Sequence, residues 1–194
     1  MTRALLIIDI QQDYFPGGRH PLVEPEAAAD RAAEVLSAWR EQGEPVVHIQ
    51  HVWDSPEAAF FQPGTPGIEI HPSVAPRDGE TLLTKTQPNA FLGTGLEREL
   101  RTLGGGPADG SESGAPALEL VVMGMMSSMC VDATVRAAAD LGFAVTVIHD
   151  ACAAPDLAFG ELTVPAAQVH AAFMAALGDS YAEVLSAGQL LAAD

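Results

Sequence analysis

The chain has 194 residues, 48% of them hydrophobic, and carries a formal net charge of −17 from 9 basic and 26 acidic side chains. That length and apolar share fit one domain, residues 1–194, with a real core, and exclude a disordered chain. The charge argues against a nucleic-acid or anionic-membrane partner, which clustered Lys and Arg would have to hold, and two cysteines are too few for a disulfide framework.

The elements follow in chain order. Met1-Thr2-Arg3 leads at once into the apolar run Ala4–Ile8, which ends at Asp9 without a small-residue cleavage site. It reads as a first strand rather than a signal peptide, and no run reaches the roughly 18 apolar residues of a membrane span. The expectation is a soluble, cytoplasmic protein. Pro25–Gln42 places Ala28, Ala32, Val35, Leu36 and Trp39 at helical spacing and stops at Gly43. Pro45–Gln50 reads as a second buried strand and Thr81–Thr84 as a third. Between them, Trp53–Gly79 is rich in proline and has little periodicity, as binding loops often do. Gly95–Leu103 is a helix, and Gly104–Pro116 a surface loop. Leu118–Met123 is a fourth strand, Val131–Leu141 a helix, Ala144–His149 a fifth strand, Pro165–Leu177 a helix opened by proline, Tyr181–Leu185 a sixth strand, and Ala187–Leu191 a last short helix. Strands apolar on both faces and alternating with helices give a parallel sheet covered on both sides, a three-layer α/β/α fold.

In open parallel sheets ligands sit at the carboxyl ends of the strands. Asp9 ends strand one, Lys85 ends strand three, and Cys130 lies just past strand four at the start of a helix. A helix N-terminus and a lysine both favour thiolate over thiol. An aspartate within reach can take the thiol proton and return it to a leaving amine. Each residue also has a plain structural alternative: a buried apolar cysteine, an aspartate capping a turn, a solvated lysine.

Three strings add a family resemblance. Leu6-Ile7-Ile8-Asp9-Ile10-Gln11-Gln12-Asp13-Tyr14-Phe15 resembles the opening of the isochorismatase-like cysteine hydrolases, which include nicotinamidases and N-carbamoylsarcosine amidases. Lys85-Thr86-Gln87-Pro88-Asn89-Ala90-Phe91 is similar to their lysine motif. Gly124-Met125-Met126-Ser127-Ser128-Met129-Cys130-Val131 is similar to their nucleophile motif. The resemblance implies a sheet of six parallel strands, with Cys130 as nucleophile, Asp9 as general base and Lys85 as the orienting charge. It also implies a cis peptide between Met125 and Met126, with the amides of Met126 and Cys130 aimed at an oxyanion, and assembly into a homo-oligomer, at least a dimer.

Nicotinamidases hold a metal through Asp-x-His after strand two and a later His. The matching positions here are His51, Trp53 and His71, so two of the three are changed. His48 and His51 stand three apart on a strand and face opposite sides. No dedicated metal or other cofactor is expected, and the change argues against nicotinamidase activity. Tyr14, Trp53 and Phe91 are candidates for the wall of a pocket. Asp13 reads as a brace for the loop after Asp9, Cys152 as structural, and the cluster Met123, Met125, Met126 and Met129 as core packing. The expected activity is hydrolysis of a C–N bond in a small amide or carbamoyl compound through a thioester. The alternatives are vinyl-ether hydrolysis of the isochorismatase type with Asp9 as acid, and a silent binding protein on the same fold.

Overall fold

The computed structural model describes residues 2–105 and 118–193. The loop expected over Gly104–Pro116 lies, from residue 106 on, outside the described residues. The main sheet is built from β1 (Thr2–Ile8), β2 (Val46–His51), β3 (Thr81–Lys85), β4 (Leu118–Met125), β5 (Ala144–Ala153) and β8 (Glu183–Leu185). Their order is β3-β2-β1-β4-β5-β8 and every pairing is parallel. Parallel neighbours need crossovers: α1 (Pro25–Gln42), α2 (Leu96–Leu103), α3 (Asp132–Asp140) and α4 (Ala166–Ser180) supply four, the segment 52–80 connects β2 to β3 without an α-helix, and α5 (Ala187–Ala193) follows β8. No helix among the described residues is long and apolar enough to cross a membrane.

The central strands alternate between two cores. Leu5 and Ile7 of β1 pack with Val35, Leu36 and Trp39 of α1, and Leu190 of α5 belongs to the same cluster. Leu6 and Ile8 face the other way, into a cluster with Leu96 and Leu100 of α2, Val135 of α3 and Leu177 of α4. Both faces are buried, which is why these strands read as continuous apolar runs rather than as alternations.

Two boundaries differ from the sequence reading in ways that bear on the site. β2 runs one residue further, to His51, and is held there by pairing with Lys85 of β3. The helix expected from Val131 is preceded by a wide π-type turn, Ser127–Val131, so Cys130 lies in that turn and α3 begins at Asp132. Further along, β5 continues to Ala153, and a two-stranded antiparallel hairpin, β6 (Leu157–Phe159) with β7 (Leu162–Val164), follows it. Those six residues are almost all exposed, so no burial pattern announced them.

β1 is the point where the strand order reverses, with β2 and β3 to one side and β4, β5 and β8 to the other. A crevice opens at such a reversal beyond the carboxyl ends of the strands. Here β1 and β4 must approach closely, because Ile8 pairs with Gly124. A Cβ at Gly124 would overlap the backbone of Ile8, and its φ of 138° lies where side-chain-bearing residues are rare. Gly124→Ala is therefore expected to lower stability by about 3 kcal/mol or more, a drop of roughly 6–12 °C in Tm for a chain of this size. A melting curve within 2 °C of the parent, on the order of the smallest shift 1 kcal/mol would give, would show that the strands can separate at no cost.

Candidate active site

Four buried side chains meet in the crevice. Asp9 leaves β1 with a left-handed backbone (φ 51°) while its amide still bonds to Ile49 O at 3.1 Å. That conformation is uncommon but is one that aspartate tolerates. Lys85 and His51 are register partners on β3 and β2, so their side chains project from the same face of the sheet. Cys130 comes from the turn after β4. Asp9, His51 and Cys130 are each 0% exposed and Lys85 is 1% exposed.

The ammonium of Lys85 holds the group together. Its Nζ stands 2.7 Å from Asp9 Oδ2, 3.0 Å from His51 Nδ1 and 3.1 Å from Gln87 O. His51 Nδ1 is in turn 3.7 Å from Cys130 Sγ and 3.7 Å from Asp9 Oδ2. Burial pushes the Cys130 thiol far above its ordinary range; the carboxylate of Asp9 adds to that, and Lys85 pulls it back down. The expected stabilisation of thiolate by Lys85 is thus present in direction but outweighed by burial. This balance holds the sulfur toward the thiol form. An oxygen of Asp9 lies within 4.8 Å of that sulfur.

The surrounding turns are fixed by side chains that the sequence motifs contain. The carboxamide of Gln11 accepts from His51 N at 2.7 Å and donates to His51 O at 2.9 Å, with a further bond to Ile68 O at 2.8 Å. Asp13 accepts from Phe61 N at 2.6 Å and from Arg19 N at 3.1 Å, so it braces the loop as expected. The Ser127 hydroxyl donates to Ala153 O at 3.1 Å and pairs with His170 Nδ1 of α4 at 2.8 Å, which anchors the turn that carries Cys130. Within that turn the carbonyl of Met126 accepts from the amides of Met129 and Val131. The Met125–Met126 peptide is cis, as the resemblance implies.

Of the three pocket candidates, two lie beside this group. The Trp53 ring lies 4.3 Å from that of His51, and Tyr14 packs on Phe61 at 4.6 Å with Phe61 5.7 Å from His51. Phe91 does not join them; it stacks on Phe143 at 6.2 Å, in the apolar cluster on the α2–α3 side. Met123, Met125 and Met126 are core residues, whereas Met129 is 37% exposed and is not. Cys152 is buried and donates to Ile148 O at 3.4 Å, with burial pushing its thiol up to about 12. Sequence reasoning missed His51 as a member of the group and the pair Phe60-Phe61 beside it. The signal for His51 was available: two parallel strands ending together put their last residues side by side.

The nicotinamidase metal set does not assemble. Trp53 offers no ligand atom, and His71 stacks on Phe15 at 4.0 Å and pairs with Ser73. One ligand atom each from Asp9, His51 and Cys130 lies within 4.8 Å of the others, but the ammonium of Lys85 already sits against two of them.

Lys85 gives a prediction with a fixed sign. Because Lys85 lowers the Cys130 pKa, Lys85→Ala should move the pH profile of Cys130 alkylation to higher pH. Asp9 is left unpaired and buried in that variant, so it should also lose about 3–5 kcal/mol of stability, read from melting. An alkylation profile that stays in place would mean that Lys85 does not act on the sulfur.

A model of the isochorismatase domain matches residues 3–189. The isochorismatase family protein YddQ of Bacillus subtilis is 48% identical over 95% of this chain and 96% of its own length. Streptothricin hydrolase of Streptomyces noursei is 38% identical over 92% of this chain and 60% of its own. Maleamate amidohydrolase of Pseudomonas putida is 30% identical over 76% and 70%. The crystal structure of an isochorismatase-type hydrolase from Oleispira antarctica superposes with a TM-score of 0.88 at 48% identity, covering 98% of this chain and 96% of that one. The sheet order, the helices on both faces and the matched span agree, and the chain belongs to the isochorismatase family of hydrolases.

Proposed function

We propose that the protein hydrolyses a C–N bond of a small amide or carbamoyl compound through a thioester on Cys130. The observation that carries this is the buried Asp9–Lys85 ion pair beside a buried thiol. A thiol with a carboxylate in reach can act as a nucleophile without being ionised at rest. Sγ attacks the carbonyl carbon while Asp9 takes the thiol proton. The amides of Met126 and Cys130 donate to the oxygen that becomes negative. Asp9 then gives the proton to the nitrogen as the C–N bond breaks, and the amine leaves. Water attacks the thioester, Asp9 takes one of its protons, and the acid departs as the thiol re-forms. Lys85 keeps Asp9 oriented and offsets its charge throughout. The amidohydrolase among the relatives supports this bond type.

A screen over amides, carbamoyl compounds, nicotinamide and isochorismate tests the reading, with Cys130→Ala as control. Turnover of an amide is expected in the parent and a fall of several powers of ten in the variant, with stability changed by only about 1 kcal/mol. Undiminished turnover in Cys130→Ala would end the thioester route; turnover of isochorismate alone, retained in the variant, would favour acid catalysis by Asp9.

We also infer a homo-oligomer, at least a dimer. The α4 helix does not supply the apolar surface through Met174, which is 6% exposed. The support comes instead from the β6–β7 hairpin, where Phe159 is 83% and Leu162 is 62% exposed. Sedimentation of a single species at the monomer mass of 20.2 kDa would refute assembly.

A further inference from the structure

Besides Oδ1 of Asp9, the group around Lys85 leaves the far nitrogen of His51 without a partner among the described residues. A lysine ammonium has three protons to donate and nothing to accept with. Its three neighbours are Asp9 Oδ2, His51 Nδ1 and Gln87 O. Nδ1 of His51 is therefore an acceptor, and the proton of the neutral ring sits on Nε2. That Nε2–H has no hydrogen-bond partner among the described residues, although the side chain is completely buried. Buried donors without a partner are rare, and one at a functional centre marks where something else supplies the acceptor.

The rest of the surroundings fix this ring in place. Gln11 clamps both backbone groups of His51, and the indole of Trp53 lies against the imidazole at 4.3 Å. The ring's near nitrogen is 3.7 Å from Cys130 Sγ. Its far nitrogen belongs to the same small ring and so also lies close to Cys130. Aromatic rings line the same side: Trp53 and Phe61 flank the imidazole, and Tyr14, whose buried hydroxyl likewise has no partner among the described residues, packs on Phe61.

We propose that His51 is a substrate-binding residue whose Nε2–H receives an acceptor oxygen of the substrate, carried close to the scissile carbonyl. This rests on the amidase reading above and narrows its substrate to amides bearing a second oxygen function, such as the monoamides of short dicarboxylic acids. A purely structural imidazole would need only Nδ1, to satisfy the lysine. A buried N–H without a partner, in a ring that touches both Lys85 and Cys130, is what a ligand contact would use.

The test uses binding rather than turnover. Cys130 is alkylated with iodoacetamide, and its labelling is followed by peptide mass spectrometry, which separates it from Cys152. Malonamate and succinamate are added as protectors; propanamide and butanamide, which carry a methyl end in place of the carboxylate, serve as matched controls. The parent should be protected by the acids and much less by the controls. His51→Asn keeps an acceptor for Lys85 at the δ position but loses the ε donor, so protection by the acids should weaken at least about tenfold. His51→Gln, which carries an N–H near the ε position, should retain most of it. The alkylation pH profile of unliganded His51→Asn should move less than that of Lys85→Ala, because the ammonium beside the sulfur is kept. Equal protection of parent and His51→Asn, controls that protect as well as the acids, or a profile that moves as that of Lys85→Ala does would each overturn the proposal. Should the acids protect the parent through His51 while no amide is turned over, the hydrolytic reading fails and the His51 contact stands.

Discussion

Everything at the carboxyl edge of this sheet depends on one buried ion pair. Asp9 and Lys85 stand 2.7 Å apart with essentially no solvent exposure. Taking two charges out of water costs several kcal/mol per ion, and their attraction offsets that only where geometry and further hydrogen bonds are good. The surroundings meet that condition on the lysine side, where His51 and Gln87 take its remaining protons. They do not meet it fully on the aspartate side, where Oδ1 has no hydrogen-bond partner among the described residues. A fold selected only for stability would gain from replacing such a pair with packed apolar residues. Its presence beside a thiol is what supports the proposed chemistry.

The pair requires three chain segments to be held at once, and each is held by a different device. β1 and β4 are brought together by the missing side chain at Gly124. β2 and β3 are locked by register, which sets His51 against Lys85. The long segment after β2 is pinned to the segment after β1 by an isolated bridge between Gln11 and Ile70, by the amide of His71 on Ile10 O, and by the side chains of Gln11 and Asp13. Gln11 behaves like a short extra length of strand, since one carboxamide presents the donor and acceptor that a backbone peptide would. That is why polar residues in an otherwise apolar opening motif are buried rather than solvated.

The fold was legible because its signals are collective. Apolar runs separated by amphipathic helices specify a covered parallel sheet whatever the details of any one turn, and α1 announced both of its ends by Pro25 and Gly43. The site was legible where residues sit at strand ends, as Asp9 and Lys85 do. It was illegible where geometry depends on register or on contacts made by an aperiodic loop. His51 joins the site only through the register of β2 and β3, which sets it beside Lys85, and register is not written in the sequence of either strand alone. Phe91 lies six residues past Lys85, yet its backbone amide bonds to the Asn89 side chain and its ring joins Phe143 on the other cluster. The β6–β7 hairpin had no signal to read, since its residues bury almost nothing.

Lys85 is the only lysine in the sequence, and the eight other cationic side chains are all arginines. Its burial therefore has an unusual corollary: no side-chain amine lies on the described surface of the molecule. Reagents that acylate or cross-link lysines find no exposed side-chain target there, and attachment through surface amines would have to be engineered in. Lysine labelled with ¹⁵N at Nζ would conversely contribute one side-chain resonance from the whole chain, and that signal would come from the centre of the site.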